Sequence, residues 1–209
     1  MRISIRGNML LVGACLVAAA SARGQQPQDQ AAQIVDSLDV AVVYSPVRAN
    51  MVGGYGFWMQ GGSVQVYGQF WRGHSQFWQR LGVVADVSGL HAAHMNGTGV
   101  GLDMVTADFG PRYTWSPANH RYAIFGEAKV GEAHGMRSIF PVSAGLVDSA
   151  NSLALSVGGG LNIPITRRLA ARAFEAEWLR TQLPNGASGV QNNLRLGMGL
   201  IFKFKWPER

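Results

Sequence analysis

Apolar and polar residues alternate one by one along the last part of the chain, from Asn193 to Phe204. A period of two residues is typical of a β-strand whose two faces meet different surroundings. At about 3.3 Å per residue and a tilt near 45°, this strand is long enough to cross a bilayer core of roughly 30 Å. The apolar face consists of Leu194, Leu196, Met198, Leu200, Phe202 and Phe204.

The same alternation recurs through the chain after residue 37 and predicts eight strands in all. Short connections alternate with longer ones that are rich in Gly, Asn and Ser, of which 135–150 is an example. Tight turns at one end and long loops at the other are typical of outer-membrane barrels. We therefore predict an all-β fold, an eight-stranded antiparallel up-and-down transmembrane β-barrel. The predicted strands are 38–48, 61–71, 80–90, 100–114, 121–134, 151–162, 168–181 and 192–204.

Alternation alone does not say which face lies outward, because a soluble lipocalin-like barrel turns its apolar face inward. The face opposite the apolar one is made largely of Gly, Ala, Ser and Asn, and charged residues form only 14% of the chain, against about 25% in soluble domains. Aromatic residues also gather near the short turns, as at a membrane interface. These features indicate that the apolar face meets lipid. The aromatic residues are Trp71, Phe77, Trp78, Tyr113, Trp115, Tyr122, Phe202 and Phe204.

Charged residues inside the strands share the polar face of their own strands, which places them in the lumen. An eight-stranded barrel is just wide enough inside to be filled by side chains. An unpaired buried ion costs several kcal/mol, so these charges must pair. We predict a closed lumen with a structural network of Asp86, Arg112, Glu127, Lys129, Arg172, Glu175, Glu177 and Arg195.

The seventh predicted strand needs an irregularity to fit this scheme. Unbroken alternation that turns Arg172 inward would point Glu175 and Glu177 into lipid. A charged side chain on the lipid-facing side of a barrel lowers its stability. One β-bulge near 173–174 would shift the alternation by one residue and turn all three charges inward.

The first residues have the pattern of an export signal. Arg2 and Arg6 precede an apolar run, and small residues follow at 20–22. We predict a signal peptide at 1–22, a polar lead-in at 23–37, the barrel at 38–204 and a short tail at 205–209. A lipoprotein signal at Cys15 is the alternative, but it would leave apolar residues behind. Without Arg2 and Arg6 the formal net charge falls from +6 to +4 with no basic block, so we expect no nucleic-acid partner.

Some residues could in principle carry chemistry. Three histidines lie near outer strand ends, but no spacing forces them to converge on a metal. Asp148 and Ser149 could be combined with a histidine into an acyl-transfer triad, yet no matching motif is present. The run 158–160 lies inside a strand and is not a phosphate loop, so its glycines indicate close packing or bending. We expect no catalytic residue, no metal and no cofactor. The histidines are His91, His94 and His134.

Several short motifs, taken together, resemble those of a known family. They are Leu81-Gly82-Val83-Val84-Ala85-Asp86, Phe109-Gly110-Pro111-Arg112-Tyr113, Gly158-Gly159-Gly160-Leu161, Pro184-Asn185-Gly186 and Gln191-Asn192-Asn193-Leu194-Arg195. The chain resembles, over about residues 38–204, the small eight-stranded outer-membrane barrels of the OmpA-like superfamily. The resemblance implies that Gly199, Phe202 and Phe204 form the signal read by the barrel-assembly machinery, although five residues follow Phe204 here.

We expect a non-enzymatic, monomeric barrel in the outer membrane of a Gram-negative bacterium, with a structural or surface-interaction role. Its expected partners are outer-membrane lipids, the barrel-assembly machinery and an extracellular ligand whose identity the sequence leaves open. Three alternatives remain at this point. They are an outer-membrane lipid-modifying enzyme, a small pore and a soluble lipocalin-like ligand-binding barrel.

Overall fold

The structure is a computed structural model that describes residues 37–50, 56–69, 75–95, 99–118 and 121–205. The predicted signal peptide, Cys15, Trp71 and residues 206–209 lie outside this part. No helix in the described residues is long and apolar enough to cross a membrane. A 3-10 turn spans Trp78–Arg80. The strands are β1 (Ser37–Tyr44), β2 (Val47–Asn50), β3 (Gly56–Gln69), β4 (Leu81–Ala92), β5 (Leu102–Trp115), β6 (Ala123–Val142), β7 (Gly145–Pro164), β8 (Leu169–Thr181) and β9 (Gln191–Lys205).

These segments form one closed antiparallel barrel. β9 pairs with both β1 and β2, which closes the sheet on itself. β1 and β2 keep a single register against β3, since Val43 pairs with Ser63 and Val47 pairs with Met59. They are one strand, interrupted at Pro46, which has no backbone N–H to donate. The barrel therefore has eight strands, and the predicted fold class is confirmed.

The two faces of the strands differ as the alternation predicts. On β9 the side chain of Met198 points outward and is 59% exposed, whereas that of Arg195 points inward and is 2% exposed. On β3 the outward Val64 is exposed and the inward Gln65 is buried. A closed barrel with an apolar exterior and ions inside suits lipid, where every backbone polar group must pair internally. The lipocalin-like alternative, with its apolar face turned inward along the whole strand, is excluded.

Aromatic side chains gather at the end of the barrel where β1 begins, which we call the turn end. Phe77 contacts Trp78 with ring centroids 5.5 Å apart and Tyr113 with centroids 5.4 Å apart. Trp115 and Tyr122 lie 6.3 Å apart on the neighbouring connection. These exposed rings form the kind of girdle that membrane interfaces favour.

β8 contains the predicted bulge. Arg172 pairs with Gly199 of β9, and Glu175 pairs with Gly197, so two residues of β8 oppose one of β9. Both intervening side chains, Ala173 and Phe174, are exposed, while Arg172 and Glu175 are buried. The prediction of a bulge at 173–174 is confirmed.

The prediction of a long loop at 135–150 is wrong. β6 and β7 continue as a paired hairpin with only residues 143–144 between them. Gly145 has a φ of +127°, which makes such a short connection possible. A second bulge lies in β6, where Met136 pairs with Ser149 and Phe140 pairs with Val147. We call the end of the barrel that carries this hairpin the loop end.

The glycines of β7 make room for side chains in the lumen. A Cβ atom on Gly158 would lie 2.6 Å from Cγ of Glu177 and 2.3 Å from the carbonyl oxygen of Ala176. A Cβ on Gly160 would lie 2.9 Å from the ring of Phe125. The expectation that these glycines allow close packing is confirmed.

Replacing Gly158 with Ala should therefore lower the free energy of unfolding by about 1–3 kcal/mol, because the backbone or Glu177 must shift. Urea unfolding in lipid vesicles, followed by Trp fluorescence, measures this. Gly89→Ala is the matched control, since a Cβ there has no atom within 4 Å, and it should change the stability by less than about 0.5 kcal/mol. Equal losses for the two variants would contradict the packing argument.

Candidate functional site

The interior of the barrel is arranged in three layers along its axis. β5 shows the order from the loop end to the turn end: Leu102 and Met104 are apolar, Thr106 carries a hydroxyl, and Asp108 and Arg112 are charged. All five side chains are buried. We call these the apolar layer, the hydroxyl layer and the ion layer.

Lys129 of β6 is the centre of the ion layer. Its Nζ lies 2.9 Å from Oδ2 of Asp86, 2.9 Å from Oε1 of Glu127 and 2.8 Å from Oε1 of Glu177. Oδ1 of Asp108 is 4.0 Å away. An ammonium group has three N–H donors, so three close carboxylates match its capacity. Through these contacts one side chain joins β4, β6 and β8.

Three arginines complete the ion layer, and each has a carboxylate partner. Nη2 of Arg195 donates to Oδ2 of Asp86 at 2.5 Å, and Nη1 of Arg172 donates to Oε2 of Glu175 at 3.2 Å. The structure thus brings all eight residues of the predicted lumen network into one buried layer. The pairs are Arg112 with Glu127, Arg172 with Glu175, and Arg195 with Asp86 and Glu177.

Gln65 of β3 is a member that sequence reasoning missed. Its Oε1 accepts hydrogen bonds from Arg112, at 2.6 Å, and from Arg172. Its Nε2 donates to Asp86 and to Glu175, each at 3.0 Å. One neutral amide therefore bridges cations and anions. The signal that could have found it is its place on the inward face of its strand.

Phe125 of β6 is the second missed member. Its ring centroid lies 4.5 Å from Cζ of Arg112 and 4.6 Å from Cζ of Arg172. Tyr67 contacts Arg112 at 5.4 Å. Aromatic faces attract guanidinium groups at these distances, more strongly when water is excluded. The ring of Phe125 therefore contacts both guanidinium groups of this part of the ion layer, and the ring of Tyr67 contacts one of them.

The charges of the ion layer balance only if one carboxyl is protonated. The excess of carboxyls lies among Glu127, Glu175 and Glu177, whose ligand atoms are within 4.8 Å of one another. With that proton, the ion layer has four negative and four positive groups. Equal numbers of negative and positive groups minimise the free-energy cost of burying ions. The carboxyls are Asp86, Asp108, Glu127, Glu175 and Glu177, and the cations are Arg112, Lys129, Arg172 and Arg195.

One group of carboxylates lies close enough to share a metal ion. The ligand atoms of Glu127, Glu175 and Glu177 are within 4.8 Å of one another. Lys129 and the arginines already contact these oxygens. The group is therefore part of the ion layer and gives no reason to expect a metal.

The candidate histidines have other partners. Nδ1 of His91 lies 2.5 Å from Oδ1 of Asp103, and His134 is hydrogen-bonded to Asn151. Within the described part of the chain, no hydrogen bond joins His134 to Asp148 or Ser149. His94 is exposed. The structure assembles neither the conceivable triad nor a histidine metal site.

A small polar cavity of about 110 Å³ opens at the turn end of the lumen. Arg112 and Arg172 of the ion layer line it, together with Tyr67, Asp39 and Lys203. The ion layer therefore borders a polar cavity on this side and the hydroxyl layer on the other.

The closed order of eight antiparallel strands is also found in solved structures. Neisserial surface protein A is similar with a TM-score of 0.55 and 13% sequence identity, over 80% of this chain and 97% of that one. Ail, the attachment invasion locus protein of Yersinia pestis, is similar with a TM-score of 0.50 and 13% identity, over 81% and 99%. The chain has the fold of the eight-stranded outer-membrane β-barrels. No family model and no curated protein matches the sequence of this chain.

Replacing Lys129 with Met should lower the stability of the barrel by about 3–5 kcal/mol, because it leaves Asp86, Glu127 and Glu177 without their central cation. Urea unfolding in vesicles measures the loss. Lys203→Met is the matched control, since Lys203 is half-buried at the turn end, and it should change the stability by less than about 1 kcal/mol. A K129M barrel as stable as the parent would show that the ion layer does not hold the lumen together.

Proposed function

We propose that the protein is a non-enzymatic, monomeric barrel of the Gram-negative outer membrane that acts through its loop end. The filled lumen carries this proposal. Lys129, Arg195, Glu177 and Gln65 are all at most 4% exposed. The contacts of Arg195 with Asp86 and of Gln65 with Glu175 cross the lumen of the barrel. A lumen occupied in this way favours display at the surface over conduction.

The hairpin of β6 and β7 supports a surface-interaction role. Leu146 is 72% exposed at its tip, and Ile139 and Val147 are exposed beside it. Apolar side chains clustered at an exposed site mark contact surfaces more often than chance would give. We propose that this hairpin contacts the extracellular ligand.

Cysteine labelling in intact cells tests the orientation. The chain has one cysteine, Cys15, inside the proposed signal peptide, so the processed protein gives no background. Asp148→Cys in the hairpin should react with a membrane-impermeant maleimide in intact cells. Arg167→Cys, in the four-residue connection at 165–168, should react only after the outer membrane is permeabilised.

The reverse labelling pattern, or recovery of the protein without detergent, would refute the proposed orientation or location. Planar bilayers separate the pore alternative from the closed barrel. The purified protein should give no channel openings above the bilayer background, and regular openings would refute the closed lumen.

We also propose that Gly199, Phe202 and Phe204 are read by the barrel-assembly machinery. Both phenylalanines point outward on the closing strand and are about half-exposed. Replacing both with Ala should lower the amount of heat-modifiable, folded barrel in cells several-fold. Phe109→Ala is the matched control, because Phe109 is an outward aromatic residue on β5 that is 60% exposed, and it should keep the parental level.

Refolding into vesicles without the machinery separates recognition from stability. The F202A/F204A variant should refold there with the parental yield, because its lumen is unchanged. A yield that falls equally in cells and in vesicles would mean that the two rings act only through packing against lipid.

A further inference from the structure

An apolar cavity of about 220 Å³ lies inside the loop end of the barrel. Its walls come from β2, β3, β5, β6 and the connection between β8 and β9. None of the lining residues that the structure describes is charged. We propose that this cavity is a binding site for a neutral, apolar small molecule of the size of a single ring or a short alkyl chain. Its main apolar walls are Phe57, Met59, Leu102, Met104, Phe140 and Leu183.

The second bulge of β6 builds one wall of the cavity. Arg137 adopts a φ of +56°, which is unfavourable for a residue with a Cβ atom, and three residues of β6 oppose one of β7 there. The ring of Phe140 thereby turns inward and lies over Gly135, where a Cβ would be only 2.6 Å from its Cζ. The same position on Gly135 is 3.3 Å from Cδ1 of Leu183. The bulge in β6 and Gly135 together bring the β6–β7 hairpin and the β8–β9 connection to the mouth of the cavity, which is its opening at the loop end.

Gln191 holds the β8–β9 connection at the mouth of the cavity. Its Nε2 donates to the carbonyl oxygen of Leu183 at 2.7 Å, and its Oε1 accepts from the hydroxyl of Thr181 at 3.0 Å and from the N–H of Leu183 at 3.1 Å. The connection that carries Leu183 is therefore held in place before any ligand arrives. A preformed cavity loses little ordering entropy on binding.

The chemistry of the lining selects a neutral ligand. An ion that enters a site without a countercharge loses its hydration and gains no partner. Asn50 and Asn193 lie at the edge of the cavity, where the N–H of Asn50 donates to Oδ1 of Asn193 at 3.1 Å. Amide groups of this kind suit a hydroxyl or another neutral polar group on an otherwise apolar molecule.

The size and plasticity of the cavity fit the proposed ligand class. An apolar protein cavity of about 150 Å³ is large enough for benzene. Met59, Met95 and Met104 contribute flexible thioether side chains, which adapt to ligands of different shape.

The cavity ends within the barrel. Leu179, Ala133 and Ala154 are fully buried in the same apolar cluster, and the hydroxyl layer, with Ser88 Oγ and Thr106 Oγ1 2.7 Å apart, lies beyond it. A bound molecule is therefore held and not conducted. Binding itself does not depend on orientation, whereas access from the cell exterior rests on the proposed function, which the cysteine labelling tests separately.

Methionine-methyl NMR of the full barrel in lipid nanodiscs tests the site. The probes are 1-hexanol and hexanoate at pH 8, which share a chain length and differ in charge. Hexanol should shift the methyl signals of Met59 and Met104 in a saturable way, and hexanoate should bind at least about tenfold more weakly. Met198 faces outward and reports partitioning into lipid, so its signal should change only in proportion to the hexanol dissolved there.

Filling the cavity with a larger side chain should abolish the saturable shifts that hexanol causes. Ala49 lines it, so Ala49→Phe should remove the saturable shifts, and Ala49→Leu provides a smaller filler if the first variant fails to fold. Ala128→Phe is the matched control on the exposed face of β6 and should bind as the parent does.

Four results would overturn the proposal. They are non-saturable shifts at Met59 and Met104, equal binding of hexanol and hexanoate, unchanged binding by a folded Ala49→Leu variant, and nuclear Overhauser contacts between Met59 and residues 51–55 in the free protein. The last result would mean that the chain itself fills the cavity.

Discussion

The ammonium group of Lys129, surrounded by carboxylates at the centre of the lumen, is the interaction on which the rest of the barrel depends. Each of its partners comes from a strand whose alternation must point a charge inward at the same height. The bulge in β8 follows from this requirement, because Arg172 and Glu175 cannot both face inward on a regular strand. Gly158 follows from it too, since the space that its missing side chain leaves is taken by Glu177.

The ion layer contributes more to the register of the strands than to the free energy of unfolding. Burying ions costs about as much as their pairing returns, whereas leaving one ion without its partners is strongly unfavourable. A slip of one residue between neighbouring strands would exchange the two faces and turn Lys129 toward lipid. A Lys near the bilayer midplane costs roughly 2–4 kcal/mol, besides the partners it leaves behind. The apolar face alone would allow several strand registers in the closed barrel. The ions therefore select one of these registers.

Features that depend on a strict period of two, or on the cost of a charge in lipid, could be predicted from the sequence. The outward face of β9 and the bulge at 173–174 are of this kind. The apolar layer could not be predicted, because Phe57, Trp58 and Met59 are consecutive and show no alternation. Only the closed barrel shows that Phe57 and Met59 are buried while Trp58 is exposed.

The same limit explains other differences between expectation and structure. Gln65 and Phe125 are neutral, so a search for charges on the inward face passed over both. The position of the β6–β7 hairpin at the mouth of the cavity depends on the backbone conformation of Arg137 and on the packing of Phe140 and Leu183 in one apolar cluster. Phe140 and Leu183 are far apart in sequence. Neither the conformation nor the packing has a local pattern from which it could be predicted.

The order of the three layers separates the ions, which hold the strands in register, from the apolar residues at the mouth of the cavity, which can be replaced. The apolar layer keeps water from the ions on the side of the loop end, and this exclusion preserves the strength of their pairing. The hydroxyl layer, with Ser88 and Thr106, lies between the ions and the apolar cavity. Replacing a wall of the cavity by another apolar residue therefore alters the ligand space without leaving any ion unpaired. The mouth can diverge in sequence while Lys129 and its partners keep the register of the strands.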